Sequence, residues 1–73
     1  MDEAHQFGEY IRALREDRGL TQSELALRAG VAVDSVRRIE RGQLSPSLRS
    51  VAKLAEGMDV SLHSLFGLSL IHI

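Results

Sequence analysis

Cysteine is absent from the 73-residue sequence, so neither a disulfide nor a thiolate metal site holds the fold together. That absence fits a reducing, cytoplasmic setting. No apolar run approaches the length needed to span a bilayer, and the N-terminal "MDEAHQ" is acidic, unlike a secretory leader. An excess of one charge is also lacking. Lys and Arg number 9 against 10 Asp and Glu, a net charge of −1 that argues against a generally sticky polyanion binder. Catalytic constellations are missing. His5, His63 and His72 are scattered over three segments without ligand spacing. Neither a G-x-S-x-G nucleophile turn nor a glycine-rich phosphate loop occurs. These absences exclude the common enzyme classes and imply neither metal nor cofactor. Alternation of the kind a strand needs is absent before the last seven residues, and there are no repeats or linkers. What remains is one small domain with a modest core.

The apolar residues that are present recur at helical spacing. Phe7, Ile11 and Leu14 form a stripe that Gly19 ends. "TQSE" at 21–24 reads as a capping box, with the Thr21 hydroxyl and the Glu24 carboxylate each taking an orphan amide. Leu25, Ala26 and Ala29 follow as a buried face closed by Gly30. Val36 and Ile39 form the apolar side of a third helix, closed by Gly42. "SPS" at 45–47 opens a fourth, with Ser45 as cap and Pro46 at the first helical position. Its expected stripe is Leu48, Val51, Leu54 and Ala55, with Gly57 as the stop. Ser61 caps a fifth short helix holding Leu62, Leu65 and Phe66.

The near-zero net charge hides an asymmetry. Residues 28–53 carry Arg28, Arg37, Arg38, Arg41, Arg49 and Lys53 against Asp34 and Glu40. The first 27 residues carry Asp2, Glu3, Glu9, Glu16, Asp17 and Glu24 against Arg12, Arg15 and Arg18. A basic middle between acidic ends would orient the molecule toward an anionic partner, and a mixed solvated surface is the alternative.

Two helices joined by a tight glycine turn, at 22–29 and 33–41, make a helix-turn-helix arrangement. "GLTQSELALRAGV", "VRRIERG", "SPSL" and "VSLHSLF", in that order and spacing, resemble the phage-repressor and Cro-type, or XRE-type, helix-turn-helix family over roughly Phe7 to Phe66. The resemblance implies an all-α, five-helix lambda-repressor-like domain over residues 7–66, whose third helix enters the DNA major groove. It is followed by an apolar tail, 67–73, or a short strand.

Taken alone, the third helix turns Asp34, Arg37, Arg38 and Arg41 away from a core direction set by Val36 and Ile39. Val33, Asp34, Arg37 and Arg38 are the base-edge candidates; arginine suits guanine O6 and N7 as well as phosphate. An ordinary solvated helix face is the alternative. Asp34 leaves three readings open. It buttresses an arginine, Arg37 or Arg38, three or four residues on; it accepts from cytosine N4; or it repels phosphate in a domain turned to protein partners. Ala32 stands where the family usually has a capping serine or threonine, so the helix starts weakly or re-starts at Asp34. Val33 stands where a polar reader is usual, and either touches a thymine methyl or packs.

The resemblance also implies an ion pair between Arg15 and Glu40, joining the first helix to the third and fixing its angle. It implies that Gln22, helped by Ser23, binds phosphate and braces a side chain of the third helix. Arg41, Gln43 and Ser45, then Ser47 and Arg49, lie on the segment that follows the DNA backbone; such contacts position without specifying.

The ending "GLSLIHI" is unusually apolar. It caps the core, pairs as a strand in a dimer, or leads to a further segment. Leu62, Leu65, Phe66, Leu68, Leu70, Ile71 and Ile73 are the dimer candidates. The whole implies a sequence-specific, double-stranded DNA-binding transcriptional regulator, a repressor, acting as a homodimer. An antitoxin that also binds a protein toxin, or an interaction adaptor that has lost DNA binding, are the alternatives. No membrane partner is expected.

Overall fold

Local capping and left-handed turns set most helix ends in this chain. The computed structural model describes residues 3–65. Helices α1 (Glu3–Asp17), α2 (Gln22–Ala29), α3 (Val33–Glu40) and α4 (Leu48–Gly57) follow in order, and residues 62–65 belong to a fifth, α5. The architecture is all-α among the described residues.

Helix α2 starts at the capping box. Thr21 Oγ1 accepts from the Glu24 amide at 3.0 Å, and Glu24 Oε1 accepts from the Thr21 amide at 2.8 Å. The hydrogen bonds from Thr21 hold the Glu24 carboxyl below its usual range. A depressed carboxylate pKa means that this cap supports the fold above the ordinary carboxylate range and is lost as pH falls through the lowered value.

Four helices end in one way. Gly19, Gly30, Gly42 and Asp59 take φ of 68, 71, 73 and 57°. The next amide then folds back: Leu20 to the Arg15 carbonyl at 3.1 Å, Val31 to Ala26 at 3.0 Å, Gln43 to Arg38 at 2.9 Å and Val60 to Ala55 at 2.9 Å. These are Schellman motifs, which satisfy the last carbonyls of each helix. Asp59 is the one non-glycine among the described residues in that left-handed conformation. Asp59→Gly is expected to stabilise the domain by about 0.5–1 kcal/mol, the left-handed cost at aspartate less the greater unfolded-state freedom of glycine. A thermal melt should rise by a few degrees; a fall would mean that the Asp59 side chain itself contributes to this turn.

Ile11, Leu25, Val36, Leu54, Met58 and Leu65 form the centre of the core. Two glycines let helices touch through backbone. A Cβ on Gly8 of α1 would overlap the Ile39 carbonyl oxygen and lie 2.9 Å from that of Glu40, at the end of α3. A Cβ on Gly57 of α4 would lie 3.0 Å from the Ala29 amide nitrogen and the Leu25 Cδ1 of α2. Arg18, just past α1, donates from Nε to the Met58 carbonyl, tying the end of α1 to that of α4.

Several sequence expectations need correction. Ser47, not Ser45, caps α4: its Oγ accepts from the Ser50 amide at 3.2 Å. Pro46 pushes Ser45 toward extended backbone and lies ahead of the cap rather than inside the helix. Leu48 is consequently the first helical residue and is 62% exposed, because α4 reaches the core through its later turns at Val51, Leu54 and Ala55. Gly57 does not stop α4; it is the close-packing position, and Asp59 makes the turn. Leu65 is 1% exposed and belongs to the core, so it is not available as dimer surface, and Leu62 is half-buried against the same cluster. Helix α3 starts at Val33 without re-starting at Asp34, and Ala32 provides no side-chain cap. Phe66, Leu68, Leu70, Ile71 and Ile73 lie outside the described residues.

Candidate nucleic-acid interface

The Schellman turn at Gly30 and the extended Ala32 set α3 across α2. Val36 and Ile39 are buried and fix the rotation of α3 about its axis. One face is thereby left outward: Asp34 and Arg38 are exposed, and Val33 and Arg37 are half-exposed. Arg37 Nη1 lies 3.3 Å from Asp34 Oδ1. The carboxylate is thus joined to Arg37 rather than Arg38. Arg38 and Arg41 form no ion pair among the described residues, so each is open to an external anion.

Behind α3 lies a polar lock. Arg15 Nε donates to Glu40 Oε2 at 2.7 Å and Nη2 to Oε1 at 3.0 Å, a two-pronged contact. Its third arm, Nη1, donates to the Leu20 carbonyl at 2.8 Å. Gln22 Nε2 donates to Glu40 Oε1 at 3.0 Å. Arg15 and Glu40 are 8% and 7% exposed. The hydrogen bonding to Glu40 raises the Arg15 pKa, outweighing the opposite pull of burial. A pair this buried gains little net stability over an apolar replacement, but it is costly to break on one side. Its geometric effect is to bind α1, α2 and the end of α3 to one carboxylate.

Arg12, Arg15, Gln22, Glu40 and Arg41 line an open cleft of ≈ 230 Å³. Since Arg15 is neutralised by Glu40, the cations free to face an anion there are Arg41 and, from its exposed pairing with Glu16 at 3.4 Å, Arg12. Arg12 was not among the sequence candidates; its position three residues before Arg15 on one helix is the signal that points to it. Ser23, Gln43, Ser45 and Arg49 are exposed. Ser47 is also exposed, but its hydroxyl is engaged with Ser50, accepting from the amide and donating to Oγ at 3.2 Å.

Residues 11–65 match the family described as helix-turn-helix (HTH_3). The chain is 42% identical over 60 residues to the HTH-type transcriptional repressor RghR of Bacillus subtilis (strain 168), covering 81% of this chain and 44% of that protein. Among solved structures it resembles the restriction-modification controller protein C.AhdI from Aeromonas hydrophila, with TM-score 0.84 and 38% identity over 88% of this chain and 97% of that one. It also resembles a structure of the SinR protein/SinI protein complex, with TM-score 0.78 and 34% identity over 92% of this chain and 66% of that one. The chain spans about half the length of the curated relatives it matches.

Proposed function

The chain belongs to the XRE-type, HTH_3 family of helix-turn-helix DNA-binding proteins, and from that premise we propose that it is a sequence-specific, double-stranded DNA-binding transcriptional regulator that acts as a dimeric repressor. The observation that carries this is the outward face of α3, bearing Asp34, Arg37 and Arg38, held from behind by the Arg15–Glu40–Gln22 lock. Helix α3 enters the major groove. Gln22, Ser23, Arg41, Gln43, Ser45, Ser47 and Arg49 approach the two flanking phosphate backbones, with Arg12 beside Arg41. These contacts give affinity, and α3 gives preference. The repressor role is supported by the likeness to RghR, a named repressor.

Selection of bound sequences from a random duplex pool tests the proposal. A recurring half-site, bound more weakly as salt rises, is the expected outcome; no enrichment would overturn it. Arg38→Ala is expected to weaken specific binding by about 1–3 kcal/mol and to relax one base position, while binding to unrelated duplex changes little. An equal loss on every sequence would make Arg38 a phosphate contact.

One small module buries little surface on DNA, so a second copy about one helical turn away is needed for specific affinity. The basic face is committed to DNA. With Leu65 in the core, the two-fold contact falls to Leu62 and the apolar residues Phe66, Leu68, Leu70, Ile71 and Ile73. Sedimentation of the chain and of a version shortened to end at Phe66 should show a dimer and a monomer respectively. Two monomers at micromolar concentration, or two equal dimers, would remove the tail from this role. A protein partner on the same fold is the second reading. It is favoured by the likeness to SinR, which is solved in complex with SinI, and co-purification of a second polypeptide would test it.

A further inference from the structure

We infer that Asp34 is a specificity-determining residue that reads a cytosine, with Arg37 as its positioning partner. The inference rests on the DNA-binding reading above and deepens it. Ala32 and Val33 carry apolar side chains and Ser35 is half-buried, so in the first turn of α3 Asp34 is the one exposed polar side chain. Its side chain is 67% exposed, with Oδ1 turned to Arg37 Nη1 at 3.3 Å. Oδ2 has no hydrogen-bond partner among the described residues and remains available as an acceptor.

A carboxylate only accepts hydrogen bonds. In the major groove, guanine O6 and N7 and thymine O4 are acceptors and would repel it, whereas the amino groups of cytosine and adenine donate. Adenine places its N7 acceptor beside that amino group, against the second carboxylate oxygen. Cytosine places an apolar C–H edge there. The lone carboxylate therefore favours cytosine. Arg37 restricts its rotamers and offsets its charge between two phosphate backbones, which is why an acid is tolerated at this end of the helix. Arg38 lies four residues on, about 6 Å along the axis, or roughly two base pairs. A half-site with a cytosine and a guanine spaced by about two base pairs follows, the guanine taken by Arg38.

The experiment compares sequences selected from a random duplex pool by the unaltered chain, Asp34→Asn, Asp34→Ala and Arg37→Ala, each first checked for retained helicity. Asparagine is nearly isosteric and pairs with adenine through N6 and N7. Asp34→Asn is expected to move one position of the half-site from cytosine to adenine, by roughly ten-fold in relative affinity, leaving the others unchanged. Asp34→Ala should relax that position alone. Arg37→Ala should weaken every sequence several-fold yet keep the cytosine. A retained cytosine in Asp34→Asn, or tighter binding of all sequences by Asp34→Ala with no change of preference, overturns the inference while leaving DNA binding intact. Failure of the unaltered chain to select any sequence overturns the DNA-binding reading itself, and this inference with it.

Discussion

Gly8→Ala lowers the stability of this domain by about 2–3 kcal/mol, although in an exposed helix the same change would stabilise it by about 1 kcal/mol. The added methyl would overlap the Ile39 carbonyl oxygen and press on that of Glu40. Both obstacles are backbone, so no side-chain rotation relieves the overlap, and α1 must move away from α3. A chain of this size has a total stability on the order of 5 kcal/mol, so the loss is a large share of it. Thermal melting should fall by roughly 10 °C or more. Gly19→Ala is the comparison: nothing lies within 4 Å of a Cβ there, and only the left-handed backbone, about 1–2 kcal/mol, opposes it. If Gly8→Ala melts at or above the unaltered chain, the close approach of α1 and α3 is wrong.

Removing Arg15 or Glu40 alone is the second large effect. Arg15→Leu strands the buried Glu40 carboxylate, which lines the open cleft, with only Gln22 as donor, and Glu40→Leu leaves the Arg15 guanidinium with only the Leu20 carbonyl. Each should cost about 3 kcal/mol or more, near the limit of what the domain can lose. The double variant should be more stable than the sum of the two losses predicts, with a coupling of at least about 1 kcal/mol, because the second change removes a charge the first left unpaired. Chemical denaturation of the four proteins measures this. Coupling indistinguishable from zero would mean that the two groups act separately. The double variant, though folded, should discriminate less between DNA sequences, since nothing polar then holds the angle of α3.

These expectations show what one sequence discloses. Helix starts and stops are legible where the signal is local. Thr21 and Glu24 satisfy each other within one turn, and Gly19, Gly30 and Gly42 stand where a left-handed residue is needed. The rotation of α3 is legible because Val36 and Ile39 allow one buried direction. Signals that depend on distant partners are not. Nothing around Gly8 announces that α3 will lie against it, and Gly57 looks like a terminator although Asp59 performs that role. Pro46 after Ser45 reads as the first residue of a helix capped by Ser45, whereas the folded chain begins α4 at Leu48 with Ser47 as the cap. At the candidate interface, charge and spacing allow Asp34 either arginine, and only the folded helix joins it to Arg37. The Arg15–Glu40 contact came from the family resemblance; composition alone would have left two surface charges.

Helix α3 is built as a cantilever. Its rear is clamped by the Gly8 backbone contact, the Gly42 turn and three hydrogen bonds to Glu40. Its front, at Ala32 and Val33, has no side chain capping the first amides. Asp34 thus sits at the end of α3 with fewer polar ties. On the DNA-binding reading proposed above, a duplex with a narrower or wider groove would meet the firmly tied end of α3 at Glu40 and the less tied end at Asp34, where sequence-dependent shape would be sensed. On that reading, amide exchange at Val33 and Asp34 is expected to slow on DNA binding by more than at Ile39 and Glu40, and equal slowing at both ends would remove the asymmetry.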